Sequence, residues 1–74
     1  GPGFMEGRIV WFDADRGYGF ITPTDGGDDI VFSRVAPGLG SGDAVHYAVI
    51  DGPNGPEATD VGPAIGPPGN GFAG

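Results

Sequence analysis

Two aromatic rings separated by one residue are the feature of this sequence best suited to chemistry with a ligand. Tyr18 and Phe20 stand in the run RGYGFI at residues 16–21. Alternate side chains of a β-strand share a face, so the two rings would lie about 6.6 Å apart along it. Such rings can stack on successive unpaired nucleic-acid bases, at roughly 1–3 kcal/mol for each base and with little sequence preference. Arg16, beside them, could contact a phosphate or lie flat on a base.

The competing interpretation is that both rings belong to the hydrophobic core, where aromatic residues of small barrels are more often found. Ile21 argues against it, because neighbouring residues of a strand face opposite sides. An inward Ile21 turns Tyr18 and Phe20 outward. Since a small protein has little reason to expose two aromatic rings unless they bind something, we predict that both face solvent.

Other residues that could perform chemistry lack partners. His46 is the single histidine and there is no cysteine, so His46 has no companion for a metal site. Asp25, Asp28 and Asp29 could hold a hard cation, but their spacing is not that of an EF-hand loop. We interpret them as a solvated turn in which Asp29 caps the local backbone. The sequence therefore predicts a binding protein that is not an enzyme and uses no cofactor or metal.

Short β-strands separated by turn residues are the elements that would position the ring pair. Tyr18 and Phe20 fall in the second of five predicted strands, which cover residues 7–12, 17–22, 30–33, 44–50 and 57–61. Asp25-Gly26-Gly27 provides the residues that a tight hairpin turn needs, and no segment shows a sustained helical period. We predict an all-β fold, a five-stranded antiparallel barrel, because closing the sheet removes its exposed edges.

The ends of the chain differ in composition from its centre. Eight of the 13 residues from 62 to 74 are glycine or proline, and none is charged, which predicts a flexible tail over 63–74. The opening Gly-Pro-Gly-Phe resembles a tag remnant at 1–4, leaving one domain at 5–62. The lack of cysteine and of long apolar runs predicts a cytoplasmic protein without membrane contact, which we expect to be a monomer.

The charge of the chain limits how it could hold a nucleic acid. Its net charge is −7, its basic residues are three arginines, Arg8, Arg16 and Arg34, and it has no lysine. Proteins that bind nucleic acid mainly through phosphates carry a basic patch. Base stacking would therefore have to supply most of the affinity here.

The first hairpin resembles that of bacterial cold-shock domains. Its motif of basic residue, glycine, aromatic, glycine, aromatic and aliphatic at 16–21 follows Trp11-Phe12-Asp13-Ala14-Asp15. Further similarities occur at 29–30, 43–45 and 55–61, so the resemblance covers about residues 6–61. It implies an OB-fold barrel that binds single-stranded RNA and DNA, melts weak RNA structure and needs no cofactor. The positions that it assigns to the ligand are Trp11, Phe12, Arg16, Tyr18 and Phe20.

The third strand departs from the family pattern. Without a gap, Val31, Ser33 and Arg34 replace a phenylalanine, a histidine and an aromatic residue, and Phe32 faces the core. A slip of one residue would turn Phe32 outward, but it would also bury the polar Ser33, so we prefer the ungapped alignment. Val10 replaces a common lysine, and the loop at 37–42 is short. About half of the stacking surface is therefore missing.

Two functions follow from these features. In the first, the domain binds single-stranded nucleic acid as an RNA chaperone or transcription-associated factor. Arg8 and Arg34 then lie near phosphates, and Val31 belongs to the nucleic-acid-binding surface. In the second, the same surface docks on a protein of the transcription or translation machinery, for which the apolar Val10 and Val31 are suited. We favour the first.

Overall fold

Five strands close into a barrel in the order β1-β2-β3-β5-β4. The computed structural model describes residues 4–64, so residues 1–3 and the predicted tail from residue 65 onward lie outside it. The strands are β1 at Met5–Asp13, β2 at Tyr18–Pro23, β3 at Ile30–Phe32, β4 at Ala44–Gly52 and β5 at Gly55–Pro63. The predicted all-β barrel is confirmed. Within the described part of the chain there is no helix long and apolar enough to cross a membrane.

One strand pair departs from the predicted antiparallel arrangement. β1 pairs antiparallel with both β2 and β4, which closes the barrel. β3 and β5, however, run parallel. The segment between β3 and β4 crosses the barrel instead of forming a hairpin, so β5, returning from the β4–β5 hairpin, runs in the same direction as β3. Five strands closed in this way form the OB-fold that the family resemblance implied.

The core of the barrel contains one buried row from every strand. Ile21 is fully buried and Phe32 is 1% exposed, as predicted for inward residues. The other buried apolar residues are Ile9, Ile30, Val45, Tyr47, Ala58 and Val61. Burial, and secondly the charge of Asp25, raise the pKa of Tyr47 above its ordinary value, so its ring packs in the neutral form. Because these residues fill the inside of the barrel, the outer faces of β1 and β2 are free for binding.

Aspartates shape the two hairpin turns beside the outer face of β1 and β2. Asp13 Oδ1 accepts hydrogen bonds from the backbone N–H groups of Asp15 and Arg16 at 3.0 and 3.2 Å. Such side-chain bonds mark an Asx turn. The predicted backbone cap by Asp29 is wrong, because its Oδ1 accepts a hydrogen bond from the Thr22 hydroxyl at 2.5 Å. Asp29 therefore ties the β2–β3 loop to the outer face of β2.

Candidate nucleic-acid interface

Three aromatic rings form a cluster on the outer face of β1 and β2. Trp11 lies 5.3 Å from Tyr18 and 6.2 Å from Phe20 between ring centroids, and Tyr18 lies 5.9 Å from Phe20. Trp11 is 41% exposed, Phe20 is 36% exposed and Tyr18 is half-buried. We call Trp11, Tyr18 and Phe20 the aromatic cluster. The rings lie on the outer face, so the core interpretation of Tyr18 and Phe20 does not hold.

A β-bulge at Val10 brings Trp11 into this cluster. Ile9 pairs with Ile21, but Trp11 pairs with the next residue of β2, Phe20, so Val10 is an extra residue in β1. Strict alternation would place Trp11 on the same face as Ile9, which is buried. Because the bulge shifts the register by one residue, Ile9 faces the core and Trp11 faces solvent.

Gly19 allows β1 and β2 to approach closely beneath the rings. A Cβ atom placed on Gly19 would lie 2.9 Å from Cα of Phe12 and 2.9 Å from Cζ of Phe32, and closer still to the backbone oxygen of Trp11. No side-chain rotation moves a backbone oxygen away. The glycine between Tyr18 and Phe20 is therefore required by packing on the inner face.

We expect Gly19→Ala to destabilise the barrel by about 1–3 kcal/mol, because the added methyl group overpacks a contact that includes backbone atoms. Chemical denaturation monitored by circular dichroism measures this loss. Gly40→Ala is the matched control, since nothing lies within 4 Å of a Cβ atom built there and its φ is not positive. Equal stability of the two variants would contradict the close approach of β1 and β2.

On β3, the residues next to the aromatic cluster are small or aliphatic. Val31 pairs with Phe20 across the β2–β3 ladder and is half-buried, while Phe32 pairs with Gly19 and faces the core. Ser33 is exposed. This register excludes the one-residue slip and agrees with the ungapped alignment. The outer face of β3 therefore has room, but no ring, beside Phe20.

Phe12 lies on the other side of the sheet from the aromatic cluster. It pairs with Gly19, on the inner side of β2, and is half-buried. Its ring stacks on that of Phe32, with centroids 5.5 Å apart and an angle of 14° between the planes. Phe12 therefore covers one end of the core, and we leave it out of the contact surface that was predicted to include it.

The three arginines occupy separate places. Arg16 is highly exposed in the β1–β2 turn, and its Nε lies 3.7 Å from Asp13 Oδ2. Arg8 lies on β1, where its Nη1 donates a 2.6 Å hydrogen bond to the backbone oxygen of Gly42. Arg34 lines a groove with Thr59 and Asp60. The structure brings together no basic patch from these residues, so phosphate attraction at this interface is weak.

The family of this barrel is decided by comparison with known sequences. A family model described as the 'cold-shock' DNA-binding domain matches residues 5–64. The chain belongs to the cold-shock domain family. This cold-shock domain is 40% identical over 62 residues to the cold shock-like protein CspC of Bacillus cereus, covering 77% of the chain and 95% of that relative. The description of this family names DNA binding.

Two further relatives agree with this assignment. The chain is 36% identical over 63 residues to the cold shock-like protein CspC of Escherichia coli K12. It is 35% identical over the same length to the cold shock-like protein CspE of Buchnera aphidicola. Each alignment covers 77% of this chain and 91% of the relative. Residues 5–64, which the family model matches, include all five strands and the aromatic cluster.

Sequence reasoning missed two surface residues, Thr59 and Asp60 of β5, which line a groove with Arg34. One signal was present. Aspartate is rare within strands, so Asp60 in a segment predicted as a strand marks an irregular position. Its φ of 55° confirms such a position, since it lies in the left-handed region.

Proposed function

We propose that this cold-shock domain binds single-stranded RNA or DNA by stacking unpaired bases on Trp11, Tyr18 and Phe20. The observation that carries the proposal is the exposure of this aromatic cluster outside a core that is already filled by other residues. Rings exposed in a contiguous group serve as a contact surface, because burying them on a ligand removes apolar area from water. The domain would act in the cytoplasm, as a monomer.

Stacking explains how an acidic protein can hold a polyanion. The described residues include only three cations, none of them grouped with another, so phosphate contacts contribute little. Each base stacked on an aromatic ring contributes roughly 1–3 kcal/mol, independent of net charge and tolerant of base identity. Arg16, at the end of the cluster near Tyr18, is placed to meet one phosphate or the face of one base.

The same energies support a role as an RNA chaperone or transcription-associated factor. Two or three stacked bases at roughly 1–3 kcal/mol each compete with a few base-pair steps, whose stacking is worth about 1.4 kcal/mol each in DNA. A weak hairpin can therefore be held open, whereas a long duplex cannot. Because stacking on aromatic rings tolerates any base, such binding would act on many transcripts.

Affinity for single strands should depend only weakly on salt. The slope of log affinity against log salt is about −0.7 for each phosphate neutralised on a single strand, so the three arginines give at most about −2. Titrations at several sodium chloride concentrations measure the slope. A slope near −5 would contradict stacking as the main source of binding energy, because it would require more cations than the chain has.

Titration with oligo(dT) or oligo(U), followed by the fluorescence of Trp11, tests the proposal. Trp11 is the single tryptophan and belongs to the cluster, so a base stacked on it should quench its emission. Double-stranded DNA of the same length is the control and should quench far less, because its bases are already stacked on one another. Absence of saturable quenching by any single strand would favour docking on a protein instead.

A further inference from the structure

A groove of about 290 Å³ lies on the barrel where β5 passes the chain that follows β3. Apolar atoms come from Val35, Ala36 and Val61, of which Val35 and Val61 form an isolated parallel bridge. Arg34, Thr59 and Asp60 supply the charged and polar groups. The groove therefore combines apolar residues with one cation, one carboxylate and one hydroxyl.

The backbone of β5 is irregular where Asp60 enters this groove. His46 pairs with Gly62 and Ala48 with Thr59, so two residues of β5, Asp60 and Val61, stand opposite Tyr47 alone. Asp60 has a φ of 55°, the left-handed conformation that glycine usually occupies at such a bulge. An aspartate held in a strained backbone conformation is a feature that clusters at binding sites.

The two charged groups of the groove are free to meet a ligand. Within residues 4–64 the single ion pair joins Arg16 to Asp13, so Arg34 and Asp60 line the same groove without pairing with each other. Both side chains are exposed, and neither takes part in a side-chain hydrogen bond of the described region. A guanidinium donor and a carboxylate acceptor therefore line the same groove.

A row of residues connects this groove to the aromatic cluster. Gly19, Phe32 and Ala58 pair in turn across β2, β3 and β5 on the inner face. Their neighbours Tyr18, Ser33 and Thr59 therefore share the outer face. At about 4.8 Å between strands, Thr59 lies about 10 Å from Tyr18, within reach of the next nucleotides of a strand stacked on that ring.

We propose that this groove is a guanine-selective slot for one base of the bound single strand. Guanine offers the acceptors O6 and N7, which arginine contacts in a bidentate manner, and amino and imino hydrogens that a carboxylate accepts. Adenine presents an amino donor where Arg34 needs an acceptor, and uracil and thymine have no amino group for Asp60. Uracil, thymine and cytosine also offer an acceptor to Arg34 and a hydrogen to Asp60. Guanine alone combines the O6 and N7 acceptor pair with an amino and an imino hydrogen, so it can make two hydrogen bonds with each charged group. The slot extends the single-strand binding proposed above and depends on it.

The test is the affinity of fluorescein-labelled hexanucleotides, measured by anisotropy at one salt concentration. The probes are dT6 and two variants with a single guanine, at the 5′ or the 3′ end. We expect one guanine variant to bind roughly three- to tenfold more tightly than dT6, the lower part of the discrimination expected for a bidentate base contact because the groove is exposed. Replacing that guanine with 7-deazaguanine or hypoxanthine should remove part of the gain, since each analogue lacks one contact atom or group.

Asp60→Asn is the decisive variant. Asparagine tolerates the left-handed region, so the bulge should persist, and circular dichroism checks the fold. Affinity for dT6 should be unchanged or slightly higher after loss of a negative charge, whereas the guanine preference should fall below twofold. Arg34→Lys, which keeps the charge but loses the bidentate fork, should likewise lower the ratio of guanine to thymine affinity.

The outcomes separate this slot from the general function. Two results would overturn the slot while leaving stacking intact. One is binding of dT6 without any preference for guanine, and the other is a guanine preference that persists in both variants. No binding of any hexamer overturns both proposals. Free guanosine monophosphate is tested as a competitor. Weak competition supports recognition of guanine within a bound strand. Competition as strong as that of the guanine hexamer would mean that the slot binds a free nucleotide, which contradicts the proposal.

Discussion

Val31→Phe combined with Ser33→His is expected to raise the affinity for oligo(dT) of six or more bases by roughly five- to hundredfold. Val31 pairs with Phe20 and Ser33 is exposed, so both new rings would stand on the outer face beside the aromatic cluster. The neighbouring strand is about 4.8 Å away, close enough for one bound strand to use both sets of rings. Each added ring should contribute on the order of 1 kcal/mol or more.

Ligand length and position provide the controls for this gain. A dinucleotide is too short to span both strands and should gain much less. Val49→Phe adds a ring at an exposed apolar position of β4 that pairs with the buried Ala58, away from the outer face of β3, and should leave affinity unchanged. If the folded double variant binds long oligo(dT) no better than the original protein, the outer face of β3 is not part of the path. Docking on a protein would then be favoured.

The orientation of the two β2 rings could be predicted from sequence because one residue of the strand could be assigned to the core. Ile21 is the kind of residue that fills a core, and strict alternation then sends Phe20 and Tyr18 outward. The extra residue of the β1–β2 pair lies in β1, so the side chains of β2 alternate between the two faces without interruption. The same reasoning placed Phe32 inside and Val31 outside on β3, where the structure agrees.

Alternation failed on β1, where Trp11 belongs to the cluster only through the bulge at Val10. Ile9 and Trp11 are two residues apart and would share a face in a regular strand. Nothing in the local sequence marks the extra residue, because Val10 is a good strand former. The outward Trp11 was inferred from family resemblance, which also assigned Phe12 to the ligand, whereas Phe12 packs on Phe32.

The parallel β3–β5 pair and the groove beside it could not be derived from local patterns. The order of the strands depends on how the chain crosses the barrel between β3 and β4. The sequence of that segment indicates only a loop. Arg34 and Asp60 are 26 positions apart and meet at the groove only because Val35 bridges Val61. Sequence reasoning therefore placed Arg34 near phosphates of the cluster, without its neighbours in the groove.

Phe20→Ala is expected to lower affinity for single strands by roughly five- to hundredfold, corresponding to one lost stack of about 1–3 kcal/mol. Phe20 contacts both other rings of the cluster, so its removal also loosens Trp11 and Tyr18. Stability should change little by comparison, because the ring is 36% exposed and lies outside the core. Val49→Ala, which also trims an exposed apolar side chain but away from the cluster, is the matched control.

The most direct measurement is the binding of labelled hexathymidine to the original protein, Phe20→Ala and Val49→Ala, followed by anisotropy so that the readout does not depend on Trp11. Denaturation curves for the same samples establish that all three are folded. Stacking on the aromatic cluster predicts a loss of roughly five- to hundredfold for Phe20→Ala and less than twofold for Val49→Ala. Equal affinities of the two folded variants would contradict it.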